Sequence, residues 1–152
     1  MSEYKNLLDD PEVLRELIMD HYKYPHNHVL KEGAGYKKIH MASASCIDDI
    51  TVQADIENGI IKDINFAGIG CTISTASTSM MTDLLVGKTV AEAKDIVDNY
   101  FRMVNAEPYD AGKLDEAVAM KNVWRQANRI NCATIGWRAM RQMIEESEGS
   151  HE

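Results

Sequence analysis

The segment Ile50-Thr51-Val52-Gln53-Ala54-Asp55-Ile56-Glu57-Asn58-Gly59-Ile60-Ile61-Lys62-Asp63-Ile64-Asn65-Phe66 decides the fold. Ile50, Val52, Ala54 and Ile56 alternate with Thr51, Gln53 and Asp55, the period of a half-buried strand. Asn58 and Gly59 both tolerate positive φ, and together they are the strongest short hairpin signal. The return strand then sets Ile60, Ile64 and Phe66 on one face. Upstream, Tyr36 to Met41 reads as a short edge strand, reached through a loop from Lys31 to Gly35.

Helices flank this meander on both sides. Asp10-Pro11 opens the first with an N-cap acceptor and a proline at the first helical position. Leu14, Leu17, Ile18 and His21 or Tyr22 share one face, and Pro25 stops the helix. Beyond the meander, Gly68-Ile69-Gly70-Cys71 turns into a helix whose Ile73, Ala76, Met80 and Leu84 form one buried stripe, ended by Gly87. Thr89-x-x-Glu92 is a capping box that starts a helix with Val90, Ala93, Ile96, Val97, Tyr100 and Val104 inward. After a break at Pro108 to Gly112, Leu114 to Val123 reads as helical. A last helix begins near Cys132 and carries Ile135, Met140, Met143 and Ile144. The pattern predicts an α+β fold, a three-stranded antiparallel sheet packed against a helical layer. One domain spans residues 1–152, with flexible termini at 1–9 and 147–152.

Composition narrows the function. Sixteen basic and 24 acidic side chains leave a net charge of −8. That argues against nucleic acid, whose phosphates need a concentrated excess of Lys and Arg. No stretch approaches the length of a membrane-spanning helix, and the acidic N-terminus lacks an export signal. Cytoplasm is the expected compartment. The 3 cysteines, Cys46, Cys71 and Cys132, are too few and too odd in number for a disulfide framework.

These thiols lie far apart in sequence, not in close Cys-x-x-Cys pairs. Spacing alone leaves two readings open: three separate buried hydrophobes, or one shared site. Context favours the second, because each cysteine stands at an element boundary among Gly, Ser, Ala or Asn. Cys71 and Cys132 fall at predicted helix starts, and Cys46 lies in a small-residue connection two residues from Asp48. If the fold gathers them, Cys46, Asp48, Cys71 and Cys132 make a four-ligand set suited to Zn²⁺ or to cluster iron. Arg129, three residues before Cys132, is the cation best placed to offset its charge; the alternative is an ordinary surface arginine.

The sequence resembles the SufU branch of the IscU/NifU-N-terminal family of iron–sulfur cluster assembly proteins, from about Leu14 to Met143. Met19-Asp20-His21-Tyr22-Lys23-Tyr24-Pro25, Cys46-Ile47-Asp48, Gly70-Cys71-Thr72-Ile73-Ser74 and Arg129-Ile130-Asn131-Cys132-Ala133-Thr134 carry the resemblance. A long Cys71–Cys132 interval, and Asn131 where IscU has a histidine ligand, are similar to SufU. The chain departs from the family at Ile47, which replaces a glycine, and at Ala44-Ser45, which replaces Pro-Thr. A β-branched residue does not take positive φ readily, so a differently shaped loop is implied.

The resemblance implies Cys46, Asp48, Cys71 and Cys132 as Zn²⁺ ligands, with Arg129 beside the metal. It implies a zinc-dependent sulfur acceptor whose catalytic Cys46 takes a persulfide sulfur from a PLP-dependent cysteine desulfurase of the SufS type. Downstream Fe–S assembly proteins or apo-acceptors would then receive it. The alternative is a scaffold that builds a transient [2Fe–2S] cluster on the same ligands; a structural zinc or interaction domain is a third reading. Elsewhere, His26 and His28 read as exposed loop residues and His21 as a hydrogen-bonded histidine at the core edge. Ser74, Ser77 and Ser79 read as tolerated helix residues, the 9 methionines as packing, and Asp110, Asp115 and Glu116 as solvated surface.

Overall fold

The computed structural model describes residues 7–42 and 47–149. Strands β1 (Tyr36–Ala42), β2 (Asp49–Glu57) and β3 (Ile60–Ile69) form one antiparallel sheet in the order β1-β2-β3. Asn58 at φ 53° and Gly59 at φ 75° make the two-residue hairpin, as both left-handed positions require. A bulge at Lys62 places Asp55 opposite Asp63 and Ile56 opposite Ile61. The extra residue shifts the strand's phase, so Ile61, not Ile60, joins Ile64 and Phe66 in the core.

The Tyr36 hydroxyl donates to Asp63 Oδ2 at 2.5 Å, joined by Asn65 Nδ2 at 2.9 Å and Lys31 Nζ at 3.0 Å. Burial works to raise the Asp63 carboxyl, but these three donors outweigh it and hold it below its ordinary value. The same contact pushes the Tyr36 phenol up to about 12. A carboxylate depressed in the fold stabilises above its unfolded pKa, and that contribution is lost as pH falls through the folded value. Tyr36→Phe is therefore expected to lower stability most at neutral pH and progressively less as pH falls through the Asp63 titration, as measured by urea melts followed by circular dichroism at several pH values.

Helix α1 (Pro11–Lys23) starts as expected, with Asp10 accepting from the Glu12 N–H at 2.9 Å. Helix α2 (Thr72–Leu85) departs from the expected single stripe: Ser74 through Thr82 are all buried, with α1 on one side and the last helix on the other. Its hydroxyls make this tolerable by bonding within the helix, Thr78 to Ser74 O at 2.8 Å and Thr82 to Ser79 O at 2.7 Å. Helix α3 (Val90–Val104) carries the complete Thr89–Glu92 capping box and buries all six residues expected inward.

The segment expected to be helical from Leu114 to Val123 is instead a set of 3₁₀ turns, Asp115–Met120 and Val123–Arg125. Asp115 sits at φ 48°, which an α-helix cannot accommodate. Leu114 and Met120 are nonetheless fully buried. The last helix, α4 (Ala127–Gly149), begins five residues earlier than expected and runs through residues expected to fray, with Ser147 6 % exposed. Among the described residues, no helix is long and apolar enough to cross a membrane.

Candidate metal centre

Strand register explains why Asp48 and Cys71 meet. Asp49 pairs with Ala42 on β1 and with Ile69 on β3. The β1–β2 connection and the exit from β3 therefore leave the sheet at the same end. Gly68, at φ 121°, lets the strands close there: a Cβ would lie 2.0 Å from the Asp49 carbonyl oxygen. Gly70 does the same for the next contact, since its Cβ would fall 2.4 Å from Ser74 Oγ.

Asp48 is 2 % exposed, and its Oδ1 accepts both the Cys71 backbone N–H and the Ser74 hydroxyl, each at 2.9 Å. Cys71 is the N-cap of α2. Its sulfur accepts the Ser74 N–H at 3.4 Å, in the role an oxygen plays in most caps. Ser74, set aside as a tolerated helix residue, thus braces both neighbours. Its signal was its place three residues after the cap.

Cys132 arrives by a different route. It lies in the second turn of α4, not at a helix start as expected, so packing positions it and the unpaired N–H groups of a helix end do not. One turn further on, Gly136 lets α4 cross close to α2: a Cβ there would stand 2.5 Å from Thr78 Oγ1. Below the crossing, Ser77 Oγ donates to the Ala133 carbonyl at 2.5 Å and accepts from Trp137 Nε1 at 3.0 Å. The Tyr100 hydroxyl donates to the same carbonyl at 2.7 Å, while its ring stacks on Trp137 at 3.7 Å. Burial drives the Tyr100 phenol well above its ordinary range.

One ligand atom each from Asp48, Cys71 and Cys132 lies within 4.8 Å of the others. Burial, then the hydrogen bond and charge of Cys71 and the charge of Asp48, push the half-buried Cys132 thiol far above its ordinary range. A thiol kept from ionising beside a second sulfur and a carboxylate fits a divalent cation, whose charge removes that resistance. Zn²⁺ or iron suits this donor set. Cys46, the expected fourth donor, lies outside the described residues. Arg129 is exposed in the first turn of α4, and its Nε donates to Gln126 Oε1 at 2.6 Å. Ile47 and Ile69, beside the cluster, are 69 % and 68 % exposed.

A sequence model of the NifU-like N terminal domain matches residues 14–151. The chain belongs to this family. Among its relatives, the NifU-like chain is 38 % identical over 132 residues to the iron–sulfur cluster assembly scaffold protein IscU of Streptococcus pyogenes serotype M1, covering 86 % of this chain and 82 % of that one. It is 34 % identical over 139 residues to the zinc-dependent sulfurtransferase SufU of Bacillus subtilis strain 168, covering 90 % and 92 %. A crystal structure from Fervidobacterium islandicum AW-1, assigned provisionally as an iron–sulfur cluster assembly scaffold protein for the SUF system, superposes with a TM-score of 0.75. Its identity is 28 %, and the match covers 82 % of this chain and 91 % of that one. The α+β architecture and the IscU/SufU relationship read from sequence both hold for this NifU-like domain.

Proposed function

We propose that this NifU-like domain serves iron–sulfur cluster assembly as a zinc-dependent sulfur acceptor for a PLP-dependent cysteine desulfurase. The convergence of Asp48, Cys71 and Cys132 carries the reading, supported by 34 % identity to a relative named for this activity. Cys46, Asp48, Cys71 and Cys132 would hold Zn²⁺, which supplies the charge that keeps thiolates available at neutral pH.

The chain's own residues divide the work. Asp48 is braced by Cys71 and Ser74, and Cys71 and Cys132 are carried on packed helices. Cys46 belongs to the connection between β1 and β2, two residues before Asp48. Its thiolate attacks the outer sulfur of the desulfurase persulfide. A new S–S bond forms on Cys46, the donor's S–S bond breaks, and the desulfurase cysteine leaves as a thiolate. Downstream assembly proteins or apo-acceptors take the sulfur from there. The sparse, odd cysteine set suits a reducing compartment such as the cytoplasm.

Incubation with a desulfurase and cysteine, followed by mass spectrometry of the intact and digested chain, tests the assignment. The expected result is added sulfur on Cys46 and its loss in Cys46→Ser. Sulfur on Cys71 or Cys132, or on no residue, overturns it. The identity to an IscU named as a scaffold favours a second reading, a [2Fe–2S] cluster assembled on the same ligands. Reconstitution with iron and sulfide, followed by transfer to an apo-acceptor, separates the two.

A further inference from the structure

A second group of metal-type donors sits at the other end of α2. His21 is near the end of α1, His26 follows Pro25, and Asp83 occupies the last turn of α2. One ligand atom from each lies within 4.8 Å of the others. Asp83 stands twelve residues along α2 from Cys71, about 18 Å at the helical rise. The two groups share no donor.

His21 is 3 % exposed. Its Nε2 lies 3.1 Å from Glu116 Oε1 and its Nδ1 lies 2.7 Å from Ser79 Oγ. A carboxylate only accepts, so Nε2 carries the proton; in the neutral ring Nδ1 then holds the lone pair. Ser79 Oγ fits this assignment, donating to Nδ1 while accepting the His26 backbone N–H at 2.8 Å. A histidine that donates one ring N–H to a carboxylate and offers the other nitrogen is the arrangement that orients metal-bound imidazoles.

The remaining donors are also held in place. His26 Nδ1 contacts Asp83 Oδ2, and its ring centroid is 4.6 Å from that of His21. Asn27, at φ 57°, turns the chain back so that its Nδ2 reaches Thr82 Oγ1 at 3.0 Å and Asp83 Oδ1 at 3.4 Å. Asp83 and Glu116 set two carboxylates beside the two imidazoles, a pair of charges that a dication neutralises. The His26 and Asp83 side chains are 53 % and 42 % exposed, so water can complete the coordination.

We propose that His21, His26 and Asp83 form a second, solvent-open site for a divalent transition metal, independent of the thiol cluster. Imidazole with one carboxylate suits Zn²⁺, Co²⁺ or Ni²⁺ better than Mg²⁺ or Ca²⁺. On binding, the Ser79 hydroxyl gives up its contact with His21 Nδ1, the proton between His26 Nδ1 and Asp83 is released to solvent, and the cation joins α1 to α2.

Co²⁺ titrated into the full chain tests this, because the two sites report differently. Thiolate-to-cobalt charge transfer marks the cysteine cluster, whereas paramagnetic shifts of histidine ring protons mark the second site. The expected result is selective perturbation of His21 and His26, weakened about tenfold or more in both His26→Asn and Asp83→Asn. The charge-transfer band and the metal-free melting temperature should stay as in the parent, since both residues are exposed. Histidine rings silent up to millimolar Co²⁺, or unchanged affinity in either variant, overturns the site.

Discussion

Asp48→Ala is expected to emerge from purification with clearly less zinc than the parent, which should hold about one equivalent per chain. The loss should exceed the roughly 10- to 100-fold that removing an outer-shell partner costs, because Asp48 supplies one of the three ligand-type atoms that converge. It also accepts the Cys71 N–H and the Ser74 hydroxyl. Alanine strands both donors at a buried site, at a cost of about 1–3 kcal/mol each at most. Asp48→Asn separates the two effects: its amide oxygen still accepts those bonds, while the charge that binds metal is gone. Elemental analysis paired with thermal melts is expected to show low zinc in both variants and a large loss of apo-protein stability in the alanine variant only. Full zinc occupancy in Asp48→Asn would remove the carboxylate from the ligand set.

The second large effect is expected at a residue that supplies no donor atom. In Gly136→Ala the new methyl would meet Thr78 Oγ1 at 2.5 Å, Cγ2 at 2.8 Å and Cβ at 3.0 Å. Thr78 cannot give way easily: it is fully buried, and its hydroxyl is bonded to Ser74 O at 2.8 Å. Helices α2 and α4 must therefore move apart. Overpacking of this kind costs about 1–3 kcal/mol, or a fall of roughly 2–12 °C in Tm for a domain of this size. Cys132 is one turn from the crossing, so zinc affinity should fall as well. Thr78→Ala removes two of the clashing atoms. The double variant is expected to melt above the sum of the single effects, the non-additivity of residues in contact. Strict additivity in calorimetry would mean that this crossing does not set the helix spacing.

The readings that held rest on neighbours close in the chain. Asn58-Gly59 needs left-handed φ for a two-residue turn, Thr89 and Glu92 satisfy each other's backbone N–H, and Asp10 caps the helix that Pro11 begins. Alternation and helical spacing placed Val52, Phe66, Ile96 and Tyr100 in the core. Where a distant partner intervened, the reading shifted. The bulge at Lys62 exchanged Ile60 for Ile61. Helix α2, read as one-sided, is enclosed because α1 and α4 cover its hydroxyl-bearing faces. Glu116, read as solvated, accepts a bond from His21 across 95 positions of sequence; that bond, outweighing burial, holds its carboxyl below the ordinary range.

The candidate site divides along the same line. Sequence determined which groups could serve: three thiols, and a carboxylate two residues from the first. It also determined the meander that ends β3 beside the start of β2, because hairpin register follows from turn geometry and alternation. Tertiary structure alone decided that Cys132 joins Asp48 and Cys71. That meeting depends on a helix crossing close enough to exclude a single methyl at Gly136, and spacing along the chain carries no measure of that distance. The same holds for His21, His26 and Asp83, brought together by two helices whose periodicities do not refer to each other.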